Sequence, residues 1–375
     1  MSTAIRVALV IAVLFVAAPA TGASAAQCAT PAGVYRDGVG WAQRLTDPAR
    51  VWPLSDGTGQ LLAVLGTGVD AANAQFASGQ VVPGSDATDC DGRGTFAAGI
   101  VAARPNPATT FTGMAPGVRI LGVRYTETTT NGGFEGPDPD ALAAALSHAV
   151  TARATVALVV APSLRSSPAL EGAVRDALAA GLVIVSPAVA DEPGMRSYPT
   201  SLPGVIGVGA HNRDGAPTSE ESGDYLALAA PGSDLVSTAA GAAGGLGHRW
   251  GIGDPAYAAA YVAGAVVLVR AYRPGLSPKD VLDRLTATAN RPPAGGHNPW
   301  LGWGVLDVPA AVSAELPAVR PGVTRPPTVV PAAGPVPPAA RPRLPGVLGV
   351  LGLVAAVLVV VTASAVTRAS GGARR

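Results

Sequence analysis

Few side chains in this chain of 375 residues could act together as a base, a nucleophile or a set of metal ligands. It has only four histidines and two cysteines. The histidines are scattered along the chain without the spacing of metal ligands, at His148, His211, His248 and His297. The sequence therefore predicts no metal site, and nothing in it indicates a cofactor.

Short apolar runs alternate with helix-like stretches through the middle of the chain. Such runs are typical of buried strands, and their alternation with helices predicts an α/β fold of three layers around a mostly parallel sheet. Functional groups in such folds gather at the carboxyl ends of the strands and the first turns of the helices that follow. The predicted strands are 60–65, 119–123, 156–161, 182–185 and 205–208, and the predicted helices are 94–103, 139–152, 167–180 and 255–272.

Three segments at these strand ends and helix starts resemble the motifs of the subtilisin-like serine proteases, or subtilases. Segment 63–70 resembles the strand that ends at the catalytic aspartate, and segment 91–99 resembles the His-Gly-Thr motif that opens a helix. Segment 254–264 is similar to the Gly-Thr-Ser segment that carries the nucleophile. The order and spacing of the segments make the resemblance specific, and it covers nearly all of residues 40–315. It implies a subtilisin-like fold.

The residue that would perform the chemistry is replaced in each segment. The resemblance places Gly66 at the aspartate, Arg93 at the histidine and Ala256 at the serine. A serine nucleophile needs an imidazole to take its proton and a carboxylate to orient that imidazole, and an arginine stays protonated at physiological pH. The asparagine that binds the oxyanion in the family is replaced by Ala190 or Val189.

A shifted alignment does not restore these groups. No histidine precedes His148, no serine lies between Ser237 and Ser277, and no asparagine lies between Asn131 and Asn212. The sequence therefore predicts that the catalytic triad and the oxyanion asparagine are all missing.

The two ends of the chain indicate export and anchoring. Residues 1–26 have the basic start, apolar run and small residues of a signal peptide, with an N-terminal anchor as the alternative. The subtilisin-like domain is expected over 27–315, followed by a proline-rich linker at 316–345. Residues 346–367 are long and apolar enough for a transmembrane helix, with a buried core helix as the alternative, and 368–375 would form a basic cytoplasmic tail.

Export also bears on the cysteines. Disulfides persist outside the cell, so Cys28 and Cys90 are expected to pair, with two free thiols as the alternative. The bond would tie the N-terminal segment to the loop before Arg93. The formal net charge is +1 and no basic stripe is present, which argues against nucleic acid as a partner.

Several other residues are expected to have structural roles. Arg93 is interpreted as a solvated or locally paired side chain, with binding of an acidic partner as the alternative. Glu220 and Glu221 are expected to belong to a solvated loop. Trp300 and Trp303 are expected to be packing residues, with a binding role as the alternative.

The whole architecture most resembles the mycosins, the membrane-anchored subtilases associated with type VII secretion systems of actinobacteria. The resemblance implies a single-pass protein of the cell membrane whose main domain is extracytoplasmic. We expect an inactive pseudoprotease that binds a type VII secretion membrane complex, or a peptide added as a strand along segment 159–164. The alternative is an active serine-type endopeptidase of secreted proteins that recruits Asp70, His148 or His248.

Overall fold

The computed structural model describes residues 28–29, 33–127, 136–241, 245–250, 253–292 and 295–316. The expected signal peptide, transmembrane helix and basic tail lie outside these residues. Of the expected linker, only Leu316 is described.

Six parallel strands form the central sheet, and their bounds lie within one or two residues of most of the predicted runs. The order across the sheet is β2-β1-β3-β4-β5-β6. The sixth strand was not predicted. The strands are β1 (Leu61–Gly66), β2 (Arg119–Arg124), β3 (Val156–Val159), β4 (Val183–Pro187), β5 (Ile206–His211) and β6 (Leu226–Pro231).

Helices cover both faces of this sheet. The residues of β1 show why, because Leu62 and Val64 point into one core while Ala63 and Leu65 point into the other. Helices α2 (Arg93–Ala102) and α5 (Pro255–Tyr272) belong to the first core, and α3 (Pro139–Thr151) and α4 (Pro168–Ala179) belong to the second. These three layers confirm the predicted fold class.

The central helix of the first core is α5, whose observed bounds are those predicted from the sequence. Fourteen of its 18 residues are buried, from Ala256 to Val269. A helix that is apolar on every side is typically buried on every side. Within the described residues, α5 is the one helix long and apolar enough to cross a membrane, and its burial identifies it as a core helix of this domain.

Smaller elements complete the described part of the chain, and none of them was predicted. A two-stranded antiparallel hairpin follows β6, and two helices follow α5. One helix precedes the sheet and is followed directly by a 3₁₀ turn at Pro48–Arg50. These elements are α1 (Trp41–Thr46), β7 (Leu235–Ser237), β8 (His248–Trp250), α6 (Pro278–Thr288) and α7 (Val308–Ser313).

A disulfide joins Cys28 to Cys90, 62 residues further along the chain. The backbone nitrogen of Ala29 also donates a hydrogen bond of 2.8 Å to the carbonyl of Cys90. The described N-terminal segment is therefore held against the loop that leads into α2.

Candidate functional site

The site begins where β1 ends, at Gly66. A Cβ atom placed on Gly66 would lie 3.0 Å from the Cβ of Val160, which is tighter than nearly all real contacts. The next residue, Thr67, accepts a hydrogen bond of 3.1 Å from the backbone nitrogen of Gly94 through its Oγ1. The end of β1 is thereby joined to the start of α2, with little room for a side chain at position 66.

The first turn of α2 is held by a carboxylate outside the helix. Asp89 Oδ2 accepts hydrogen bonds of 2.7 Å from both the backbone nitrogen and the Oγ1 of Thr95, and Oδ1 accepts one of 2.8 Å from the nitrogen of Gly92. Backbone N–H groups at a helix start lack partners within the helix, so this carboxylate satisfies groups that would otherwise be unpaired. The backbone nitrogen of Arg93, the first residue of α2, donates to a second carboxylate, Asp91 Oδ1, at 3.3 Å.

The Arg93 side chain is paired with two carboxylates. Its Nη1 donates to Asp254 Oδ2, and its Nε lies 3.4 Å from Asp91 Oδ1. The exposed fractions of the three side chains are 19% for Arg93, 13% for Asp91 and 11% for Asp254. Of the two expectations for Arg93, the structure therefore shows local pairing: the side chain lies in a largely buried ionic network and is not solvated.

Asp254 connects this network to the start of α5. It is the N-cap residue of the helix, and its Oδ1 accepts a hydrogen bond of 3.0 Å from the nitrogen of Ala256. Burial raises the pKa of Asp254, and the positive charge of Arg93 acts against that rise. The side chain of Ala256 is a methyl group that is almost fully buried. The aspartate therefore pairs with Arg93 through one oxygen and caps α5 through the other.

The structure brings all three predicted triad positions to one end of the sheet. Gly66 ends β1, Arg93 starts α2 and Ala256 lies in the first turn of α5. Their positions are those that the resemblance implies for a catalytic centre, but their side chains are different. A glycine, an ion-paired guanidinium and a methyl group offer neither a base nor a nucleophile.

The fourth predicted position, Ala190, lies in the turn after β4. Its side chain is buried, and its backbone nitrogen donates a hydrogen bond of 2.8 Å to Glu221 Oε2. The neighbouring nitrogen of Val189 donates to Ser197 Oγ at 3.1 Å. These two N–H groups are therefore used inside the protein, and neither residue supplies a side-chain donor for an oxyanion.

Glu221 corrects the sequence-based expectation of a solvated loop. The residue is 1% exposed, and its carboxylate accepts hydrogen bonds from Ala190, Ser197 and Tyr225. From Ser197 it accepts two, one from the nitrogen at 2.8 Å and one from Oγ at 2.5 Å. A buried carboxylate is stable only with such partners. Ser197 and Ala190 lie 24 and 31 residues away in sequence, so the pattern around Glu221 did not indicate its burial.

The histidines do not form a substitute catalytic centre in the described residues. His211 lies at the end of β5 against Trp41, and His297 contacts the carbonyl oxygen of Leu226 at 2.7 Å through Nε2. His148 is exposed on α3, which packs on the other face of the sheet from α2 and α5. In this part of the chain, no hydrogen bond joins a histidine to a serine, threonine or cysteine side chain.

The remaining candidates for recruitment have local contacts of their own. His248 packs edge-on against Phe96 with ring centroids 6.5 Å apart, and burial lowers its pKa. Asp70 accepts hydrogen bonds from the nitrogens of Ala72 and Gly241, at 2.9 and 2.8 Å.

The two tryptophans expected to be packing residues, Trp300 and Trp303, are 41% and 38% exposed. The second of them makes contacts, because His297 packs edge-on against its ring and the Arg291 guanidinium lies over it.

Residues 57–304 match the sequence profile of the subtilase family, Peptidase_S8. The chain is a subtilase. Among its relatives, it is 32% identical to Mycosin-3 of Mycobacterium tuberculosis, over 87% of this chain and 82% of that protein. It is 30% identical to Mycosin-1 of Mycolicibacterium smegmatis over 77% of each chain. This subtilase therefore belongs with the mycosins, as the architecture of the sequence predicted.

Solved structures agree with this assignment. The subtilase matches the MycP3 protease from the type VII (ESX-3) secretion system with a TM-score of 0.63 and 29% identity, over 77% of this chain and 93% of that one. It also matches a chain in the periplasmic assembly from the ESX-5 inner membrane complex, with a TM-score of 0.67 and 25% identity. That match covers 86% of this chain and 94% of the other.

Proposed function

We propose that this mycosin-type subtilase is a pseudoprotease that works by binding at a type VII secretion membrane complex. The observation that carries the proposal is the Arg93–Asp254 ion pair, which stands where a catalytic centre would lie. Loss of one triad member already lowers kcat by roughly 10⁴- to 10⁶-fold in a serine protease. In this chain the positions of all three members, Gly66, Arg93 and Ala256, lack the required groups.

The membrane topology belongs to the same proposal. Residues 1–26 direct export, the domain at 27–315 lies outside the cytoplasm, and the helix at 346–367 anchors it through the linker at 316–345. The similarity to a chain of the ESX-5 inner membrane complex supports a location beside such a complex.

Docking of the folded domain is favoured over capture of a peptide along segment 159–164. Several backbone groups of that segment already form hydrogen bonds within the protein. Val160 nitrogen donates to Leu65 oxygen at 2.8 Å, and Ser163 exchanges two hydrogen bonds of 2.8 Å with Tyr198. Gly136 lies against Pro162 and Leu164. The expected edge is therefore only partly available for a peptide strand.

Catalysis is tested with the full-length protein in detergent. We expect no hydrolysis of casein above the buffer rate and no labelling by a fluorophosphonate probe, under conditions in which an active mycosin gives both. Turnover that copurifies with the protein and disappears in Asp70→Ala or His248→Ala would establish the alternative function, an endopeptidase with an unusual centre.

Binding is tested separately in the native membrane. A tagged full-length protein should copurify with components of the type VII secretion membrane complex. The matched control carries the same tag on residues 1–26 and 316–375 without the domain at 27–315. Equal recovery of the complex by both proteins, or recovery by neither, would contradict a binding role for the domain.

A further inference from the structure

The inference concerns a group of arginines at the same end of the sheet as the Arg93–Asp254 pair. We call Arg44, Arg213 and Arg249, together with Asp234, the arginine patch. Asp234 accepts hydrogen bonds from Arg213 Nη2 at 2.9 Å and from Arg249 Nε at 2.7 Å. Arg44 donates through Nη1 to the carbonyl of Val39. All three arginines are exposed, and Asp234 is half-buried.

The patch lines a cavity of about 260 Å³. Its walls carry three arginines and one aspartate among the charged residues, so its net charge is positive. A second cavity of about 280 Å³ shares Tyr35 and Arg249 with the first and adds Arg36 and Asp37. The charges of Arg36 and Asp37 cancel, so the excess of positive charge belongs to the first cavity.

The aspartate at the centre of the patch is held firmly in place. Trp41 Nε1 donates to the carbonyls of Ser233 and Asp234, at 3.1 and 3.0 Å. Asp234 has a φ angle of +51°, in the left-handed region that aspartate adopts more readily than most residues. A backbone held in that region requires support from its surroundings, which here comes from Trp41 and the two bound arginines.

The donors in the patch exceed what this one carboxylate accepts. A guanidinium has five N–H donors. Within the described residues, Arg44 and Arg213 each use one nitrogen in the hydrogen bonds above, and Arg249 uses Nε and Nη2. Asp234 also shows that a carboxylate fits between two of these side chains, with Arg249 on Oδ1 and Arg213 on Oδ2.

We propose that the arginine patch binds an acidic segment of a partner protein, with a glutamate or aspartate side chain seated in the cavity beside Arg44, Arg213 and Arg249. A concave site with aromatic walls at Tyr35 and Trp41 fits a carboxylate side chain better than a flat anionic membrane. The patch lies close to the vacated catalytic centre, because the nitrogen of Asp254 bonds the carbonyl of Gly232 at 2.8 Å, two residues before Asp234.

The test uses the full-length protein in detergent and a fluorescein-labelled decapeptide of alternating glutamate and serine. We expect binding that weakens as salt rises from 50 to 500 mM, because exposed charges are screened. The same peptide with glutamine in place of glutamate should bind at least tenfold more weakly. Equal binding of the two peptides, or no binding of the acidic one at millimolar concentration, overturns the proposal.

Variants locate the site on the protein. The double variant Arg213→Gln with Arg249→Gln should weaken peptide binding at least tenfold. The control, Arg119→Gln with Arg175→Gln, removes the same charge from exposed positions elsewhere and should change peptide binding less than twofold. Asp234→Asn removes the competing carboxylate and should strengthen binding about threefold. Weaker binding by Asp234→Asn, or equal loss in both double variants, overturns the proposal.

Two further measurements remove the remaining alternatives. Circular dichroism checks that each variant is folded, and the Asp234→Asn and salt results stand even if the double variant is not. Vesicles with 30% anionic lipid serve as a competitor. If these vesicles bind through Arg213 and Arg249 and the peptide does not bind, the patch is assigned to a membrane instead.

The inference rests on the binding role proposed above. Copurification with the secretion complex can succeed when the peptide test fails, so the two failures are distinguishable.

Discussion

The guanidinium of Arg93 is paired with the carboxylate of Asp254, although 161 residues separate them in sequence. The pair joins the first residue of α2 to the N-cap of α5. A subtilisin-like centre needs a mobile proton at this point, whereas a permanently charged arginine holds its own protons and its partner. At this end of the sheet, a fixed ion pair therefore joins α2 to α5.

Breaking this pair should destabilise the domain. Arg93→Met leaves Asp254 buried without its main positive partner, and we expect a loss of about 2 kcal/mol in the free energy of unfolding, between the values for surface and fully buried pairs. Urea unfolding followed by circular dichroism measures the loss. Arg119→Met, at the exposed start of β2, is the control and should cost less than about 0.5 kcal/mol.

A double-mutant cycle tests the pairing itself. Asp254→Asn keeps an oxygen to cap α5 but removes the negative charge. The double variant Arg93→Met with Asp254→Asn should be more stable than the sum of the single changes predicts, because neither residue then leaves a charge unpaired. Simple additivity would mean that the two side chains do not interact.

Restoring the three triad residues should not restore catalysis. In Gly66→Asp, Arg93→His, Ala256→Ser, the new aspartate would press on Val160, and Ala190 would still provide no side-chain donor for the oxyanion. We expect no fluorophosphonate labelling and no peptide hydrolysis above background. Adding Val160→Gly removes the Cβ atom that the new aspartate would press on and is the matched variant. Hydrolysis by either protein would show that the surrounding structure is still arranged for catalysis.

The buried carboxylate of Glu221 should be needed for stability. Glu221→Gln places an amide NH₂ group close to the N–H and O–H donors of Ala190, Ser197 and Tyr225. We expect a loss of about 2–3 kcal/mol, since hydrogen bonds to charged groups are strong and buried donors would lose their acceptor. Glu220→Gln, the exposed neighbour, is the control. Equal stability of the two variants in urea would contradict this role.

Stability should fall as the pH falls below about 6.5, the ordinary pKa of histidine. Burial lowers the pKa of His211, and the hydrogen bond to the Asn212 carbonyl opposes that shift only in part. In this pH range the unfolded chain binds a proton that the folded chain does not, so the free energy of unfolding decreases between the two pKa values. Unfolding in urea at pH 7.5, 6 and 5 measures this decrease.

The same experiment on a variant assigns the effect. His211→Gln should reduce the slope with pH, while His148→Gln, at an exposed position on α3, should leave it nearly unchanged. An unchanged slope in His211→Gln would assign the pH dependence to other groups, including His248, whose pKa burial also lowers.

The sequence alone predicted the family, the order of five of the six parallel strands and of the four helices that cover the sheet, and the absence of the catalytic groups. These features depend on local information, namely apolar runs, turns rich in glycine and the residue types at motif positions. The bounds of α5 were predictable because its run is long and apolar. Strand β6 was not predicted, since Leu226–Pro231 is a short run of mainly small residues that periodicity alone does not mark as a strand.

Only the tertiary structure decided what the altered positions do. Asp254 directly precedes the predicted helix 255–272, and its pairing with Arg93 exists because α2 and α5 pack on the same face of the sheet. Glu221 next to Glu220 has the composition of a solvated loop, yet folding places it under the turn at Ala190. The physical reason is the same for both residues. The free energy of a charged side chain depends on burial and on partners far away in sequence, and local pattern carries neither.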